Sequence, residues 1–270
     1  MTGPNSYTGG TTINAGTLIG NSTSLTGNIV DNGTLVFDQA TNGAFAGSIT
    51  GTGSLIKRNV GDLQLTGNTD IGGTATIEQG GLIVDGVLTA SQINVAQGAS
   101  LGGSGALNAN IAMADFSTLV AGTPLSPLNI NGSLALSDQT RIDLGLGIPN
   151  TPTNAITVKG NLTLDGVLNV GDAGGMSTGV YRLFAYSGGL TDNGLVYGNL
   201  PGSFTQDNLT LQNQSNAVNL LVELSPGEIQ FWNGDKTQAD GTIVGGAGTW
   251  GAGTNWTDST GTQSQSWGNR

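Results

Sequence analysis

Apolar residues along this chain recur in very short alternating runs. Leu63-Gln-Leu65, Ala75-Thr-Ile77, Leu82-Ile-Val84, Ile93-Asn-Val95, Ile142-Asp-Leu144, Ile156-Thr-Val158, Leu162-Thr-Leu164 and Leu168-Asn-Val170 each set about two apolar side chains on one side of a strand. No segment carries the i, i+3, i+4, i+7 spacing of an amphipathic helix over three turns, and the abundant Gly and Thr are poor helix formers. Strands this short cannot fill a sandwich core alone, although residues 180–225 leave a β-sandwich open.

A small unit, apolar-x-x-Gly-x-Leu, punctuates the strands. It reads Ile13-Asn-Ala-Gly16-Thr-Leu18, Val30-Asp-Asn-Gly33-Thr-Leu35 and Ile77-Glu-Gln-Gly80-Gly-Leu82, with looser copies at 95–101, 130–134 and 158–162. Two apolar residues five apart would face opposite sides of one continuous strand. A corner at the intervening Gly turns both inward from two successive strands, and Gly, Asn and Asp tolerate the positive φ of such a corner. A displacement of 64 residues superposes eight of eighteen positions, from Thr2-Gly3 on Thr66-Gly67 to Leu18-Ile19 on Leu82-Ile83. Stacked windings of about 20 residues would align the apolar positions into ladders along one axis, with backbone pairing between windings. The expected fold is all-β: a right-handed parallel β-helix (β-solenoid) of short strands with Gly/Asn/Asp corners. At about 4.8 Å per winding the whole chain would make about 13 windings. Its repeat positions are Gly16, Leu18, Gly33, Leu35, Gly53, Leu55, Gly67, Gly80 and Leu82.

Composition divides the chain into three regions. Residues 1–130 bear the clearest repeats, 131–228 continue the coil with longer loop insertions, and 229–270 form a Trp/Gly-rich terminal segment holding all four tryptophans. Of 270 residues 47 are glycine, only 9% are charged, and there is no histidine or cysteine. Ser-His-Asp triads, Cys nucleophiles, zinc sites and haem ligation are thereby excluded. Seven Lys+Arg against eighteen Asp+Glu give a net charge of −11, and only Lys57-Arg58 are adjacent cations, so nucleic acid is not an expected partner. Lack of cysteine suits a chain that crosses a narrow pore unfolded, where a premature disulfide would jam it.

Gly51-Thr-Gly-Ser-Leu-Ile-Lys57, Gly61-Asp-Leu-Gln-Leu-Thr-Gly67 and Gly73-Thr-Ala-Thr-Ile-Glu-Gln-Gly-Gly-Leu82 resemble the passenger-associated transport repeat of bacterial autotransporters. Thr2-Gly3 with 7–18 resembles the second half of another copy. More loosely, 180–190, 218–222 and Phe231-Trp-Asn-Gly-Asp235 through Asn255-Trp-Thr257 are similar to passenger sequence. Asn59-Val60 and Asp70-Ile71 depart from the repeat in ways that touch turn detail. The resemblance implies a piece of a surface-displayed virulence-type adhesin, exported across a Gram-negative outer membrane. Its own C-terminal outer-membrane barrel, absent from this chain, would be the partner in secretion. Host surface or matrix molecules, or further copies of the chain, would be partners afterwards.

Candidate chemistry is sparse. Gly246-Ala-Gly-Thr-Trp-Gly251 matches the dinucleotide fingerprint, but no helix can start in this Gly/Thr run to receive a phosphate. Leu101-Gly-Gly-Ser-Gly-Ala-Leu107 has the glycines of a calcium-binding repeat without its Asp. Neither cofactor nor metal is expected. The alternative function is a β-helical polysaccharide lyase or hydrolase, which needs acids converging in one groove. Asp143 and Asp165, one winding apart and near Arg141, are its candidates; Asp31, Asp85, Asp192 and Asp235 sit in turn contexts instead. No catalytic residue is assigned. Trp232, Trp250, Trp256 and Trp267 are the ligand-binding candidates, because exposed indoles stack on sugar faces or apolar partners. Bracing a less regular part of the coil is the alternative role, and the composition favours it.

Overall fold

The computed structural model describes residues 3, 5–121, 127–150, 155–202, 204–223, 229–247 and 253–267. It is a parallel β-solenoid of three faces closed by antiparallel strands.

The first face stacks Thr11–Ile13, Ile29–Asp31, Ile49–Gly51, Asn68–Ile71, the starts of Val87–Val95 and Ala106–Met113, Leu128–Ile130, Ile156–Val158 and the end of Gly179–Tyr186. The second stacks Thr17–Gly20, Thr34–Asp38, Ser54–Arg58, Thr74–Ile77, the ends of the two long strands, Leu134–Ala135, Leu162–Leu164 and Leu190–Asp192. The third runs from Gly43–Phe45 through Leu63–Leu65, Gly81–Val84, Ser100–Gly103, Thr118–Ala121, Arg141–Leu146 and Val167–Asp172 to Val196–Tyr197.

Alternation along each strand aims every second side chain inward, and parallel register lines these up into columns. Ile29, Ile49, Thr69, Leu88, Leu107, Ile130 and Val158 form one. Leu35, Leu55, Ala75, Ile93, Ile111, Leu134 and Leu162 form the second, and Leu63, Leu82, Leu101, Leu119, Ile142 and Leu168 the third. All are buried, and each aliphatic side chain so placed stabilises the fold by about 1.5–3 kcal/mol.

Two expectations are corrected in detail. Among the described residues, nine rungs on each of two faces, and eight on the third, stand where about thirteen windings were expected. Along the first face the rungs are 18 residues apart at Thr11 to Ile29, then 19 or 20, then 23 and 28 from Leu107 onward. After Tyr197 no described strand joins the parallel ladders: Gly179–Tyr186 pairs antiparallel with Ala217–Val222, which pairs antiparallel with Leu209–Gln214. Antiparallel pairing therefore occurs inside the span where a sandwich was left open, as a cover on the last rung edge rather than as a second sheet of a sandwich.

The role expected of the repeat glycines is also revised. Gly16 and Gly80 do have positive φ, at 78° and 67°. Gly33, Gly53 and Gly67 do not, and close approach explains them: a Cβ on Gly33 would overlap the carbonyl oxygen of Gly16, and one on Gly67 that of Gly47. Successive corner glycines thus stack backbone on backbone, with Thr34 N–H donating to Gly16 O at 2.9 Å and Gly73 N–H to Gly53 O at 2.9 Å. The unit also serves different corners. Gly16, Gly33 and Gly53 turn the first face into the second, Gly80 turns the second into the third, and Gly67 turns the third into the first. The 64-residue displacement therefore superposes strands of different faces, because all three corners pose the same packing problem.

At the second-to-third corner, residues at one level after another adopt left-handed backbone: Asn59 (φ 70°), Gly80 (67°), Gly98 (76°) and Phe116 (59°). Phe116 is bulky and exposed there, a conformation that costs a non-glycine residue about 1 kcal/mol or more.

Candidate functional site

The terminal segment folds as a small antiparallel sheet. Phe231–Trp232 pairs with Trp256–Thr257, which pairs with Ser264–Gln265. Trp232 lies directly opposite Trp256, so the two indoles meet across the strands, edge to face, with ring centroids 5.4 Å apart. Trp267 tilts onto Trp256 at 4.4 Å. Trp256 is buried, Trp232 half-buried and Trp267 about half exposed at 52%. Three of the four candidate tryptophans are therefore brought together; Trp250 lies outside the described residues.

Polar side chains tie the loops around this sheet. Val244 N–H donates to Asn233 Oδ1 at 2.8 Å, and Asn233 N–H to Asn255 O at 2.8 Å. Asp258 accepts hydrogen bonds from Thr262 N–H, Gln263 N–H and the Thr260 hydroxyl. Burial pushes its carboxyl upward, but these donors outweigh it and hold the group below the ordinary carboxylate value. Lys236 Nζ reaches Asp240 at 2.6 Å; its hydrogen bond and that of the Thr242 hydroxyl hold Asp240 down to about 2.

Between this sheet and the strand Leu209–Gln214 lies a cleft of about 810 Å³. Phe231 and Trp232 line it, with Gln212, Asn213, Gln214, Thr242 and Thr260 among the polar groups. Gln212 spans the crevice, its Nε2 donating to Ser259 O at 3.4 Å.

The carboxylate candidates are only partly assembled. Arg141 and Asp143 share a shallow trough of about 810 Å³ on the third face. There Asn169 Nδ2 donates to Asp143 at 2.7 Å, and Asn199 N–H donates to Asn169 Oδ1 at 2.8 Å. Asp165 does not line the trough; it sits at a corner, accepting from Gly166 N–H at 2.8 Å and Asn193 Nδ2 at 3.0 Å. Among the described residues no three His, Cys, Asp or Glu side chains gather where they could hold a metal. Of the Gly-rich 246–251 run, residues 248–251 lie outside the described residues.

Asp31 and Lys57, two of the three buried charged residues among those described, escaped sequence reasoning. Asp31 was expected at a solvated turn, with Val30 inward; the alternation is opposite, so Val30 is exposed and Asp31 fully buried. Burial raises the Asp31 carboxyl, with Gly33 and Leu35 N–H donors opposing. Lys57 occupies the inward position between Phe37 and Ile77 of the neighbouring rungs and is also fully buried. Its position two residues after inward Leu55 was the available signal.

No protein-family model matches the chain. Over 148 residues, 52% of its length, the chain is 38% identical to the adhesin BmaC autotransporter of Brucella suis biovar 1 (strain 1330), and it spans about 4% of that protein. The expected passenger resemblance is thus met twice, in the parallel solenoid and in this shared sequence: over half its length this chain is similar to an autotransporter adhesin.

Proposed function

We propose that this chain is a non-enzymatic stretch of a surface-displayed autotransporter passenger, serving as a scaffold for secretion and for adhesion or self-association. The observation that carries the reading is the solenoid itself, together with half its sequence being similar to an adhesin autotransporter. A coil of independent rungs can be exported unfolded and assembled outside the cell, each stacked rung opposing backsliding without ATP. Its partner in that step would be a C-terminal outer-membrane barrel of the same polypeptide, and its location the Gram-negative cell surface. The placement of the acids supports a non-enzymatic role, since among the described lining residues Asp143 shares its trough with Arg141 and no second carboxylate.

The test is to display the chain, between an export signal and a membrane barrel, on a heterologous Gram-negative cell. Protease-accessible chain at the surface, with adherence to host cells or cell clumping above the barrel alone, is expected. Failure to reach the surface, or adherence equal to the barrel alone, overturns the proposal.

A further inference from the structure

The cleft between Leu209–Gln214 and the tryptophan sheet is distinctive in what lines it. The chain carries 25 charged residues, yet no described lining residue is ionisable. Its described lining joins Gln212, Asn213 and Gln214, the aromatic strand Phe231–Trp232, the aliphatic Leu211, Ile243 and Val244, and Thr242 and Thr260, whose hydroxyls already donate to Asp240 and Asp258. Its volume falls in the range of small-ligand sites, about 300–1,000 Å³.

Each ligand class makes a demand on those groups. An anionic ligand needs a free cation in the wall; no described lining residue is one, the Lys236 ammonium behind Thr242 is paired with Asp240, and the net charge of −11 adds repulsion. A cationic ligand needs a free carboxylate; no described lining residue carries one, and Asp192, Asp240 and Asp258 behind the wall already accept from Asn213, Thr242 and Thr260. A wholly apolar ligand would desolvate the Gln212 and Gln214 amides without pairing them, at a cost of about 1–3 kcal/mol for each group left unpaired. Gln212 Oε1 is already buried and accepts no hydrogen bond from a described residue, so an incoming hydroxyl would satisfy it.

A neutral saccharide meets every demand. Its hydroxyls donate to and accept from amides and Thr hydroxyls, and its C–H faces lie on aromatic rings. We infer that this cleft binds a neutral oligosaccharide, with the aromatic strand Phe231–Trp232 as the stacking floor and Gln212 and Gln214, which share one face of their strand, as the hydrogen-bonding wall. The inference names a ligand class for the adhesive role proposed above and rests on that reading.

The experiment titrates the whole purified chain with neutral hexasaccharides (β-1,4-linked glucose, mannose, xylose and N-acetylglucosamine oligomers), an oligogalacturonate and an extended neutral peptide. Tryptophan emission and calorimetry report binding. Saturable binding of at least one neutral hexasaccharide, and of neither the oligogalacturonate nor the peptide, is expected. Gln212→Leu keeps the bulk while removing the acceptor for the incoming hydroxyl, and should weaken binding about tenfold. Gln214→Ala, at an exposed position, should weaken it less. Trp232→Ala should abolish it, and a far-ultraviolet spectrum will show whether its sheet persists. Absence of binding to every neutral hexasaccharide, binding only to the acidic oligomer or the peptide, or unchanged affinity in Gln212→Leu each overturn the inference. Surface display and host-cell adherence are scored separately, so a chain that adheres yet binds no neutral saccharide sinks this inference and leaves the adhesive reading standing.

Discussion

Lys57 Nζ donates a hydrogen bond to the carbonyl oxygen of Gln79, 22 residues ahead, at 2.8 Å. The same ammonium reaches Asn59 O at 2.8 Å and Arg58 O at 3.3 Å, so one interior cation holds the second-to-third corner to the next rung. Its stem is packed in the column between Phe37 and Ile77. Lys57→Ala removes both stem and donor and should lower stability by about 2–5 kcal/mol in urea unfolding. Burial lowers the Lys57 pKa, opposed by the charges of Asp62 and Asp38. Between the folded value and 10.5 the unfolded chain therefore holds more protons than the folded one. This group's contribution rises with pH through that window and vanishes in Lys57→Ala.

Asp31 has the opposite linkage. Burial raises its carboxyl above 3.8, so between 3.8 and the folded value the folded chain holds more protons. Stability from this group should increase as pH falls through that window. Asp31→Asn, which keeps an acceptor for Gly33 N–H (3.0 Å in the native chain), should remove the increase. At neutral pH it should stabilise the protein by about 1 kcal/mol by eliminating a buried charge. A pH series of thermal melts on the two proteins reads both effects, and a less stable Asn variant at pH 7 would refute the assignment.

The stacked corner backbones predict a sharp contrast among glycines. Gly33→Ala drives a methyl into the carbonyl of Gly16 and should cost about 1–3 kcal/mol as rungs are forced apart. Gly202, with nothing within 4 Å of a built Cβ and no positive φ, should accept Ala with little change. Equal melting temperatures for the two variants would contradict the close-approach account.

Phe116→Gly should stabilise the solenoid by about 1 kcal/mol, because the left-handed corner that strains Phe is open to Gly. Gly80 and Gly98 already occupy the equivalent corners of the two preceding rungs. A destabilised variant would mean that the ring of Phe116 contributes more by packing than its backbone costs.

The coil was legible because its information is local: Leu63-Gln-Leu65 or Ile156-Thr-Val158 declares an inward pair within three residues. What pairs with what was not. Gly179–Tyr186 alternates like its predecessors, yet it accepts a parallel partner on one edge and the antiparallel Ala217–Val222 on the other. That choice depends on which segment returns to the edge, and strand pattern does not encode it. The alternation at Ile29-Val-Asp31 was misread by one residue because a buried Asp breaks the polar-out rule. At the tryptophan sheet, aromatic content pointed to the region, but the amide wall comes from residues 212–214. Only the fold brings that polar strand beside the rings.

Because the hydrogen bonds between rungs lie along the long axis, tension applied to the two ends of the coil loads few of them at a time. Rungs would peel away in sequence rather than shear together. With 18 to 20 residues in each early rung and 28 in the later ones, each release would lengthen the tether by about 60–100 Å. Such a filament yields in steps of unequal size, stretching under flow while the rungs still stacked hold their shape.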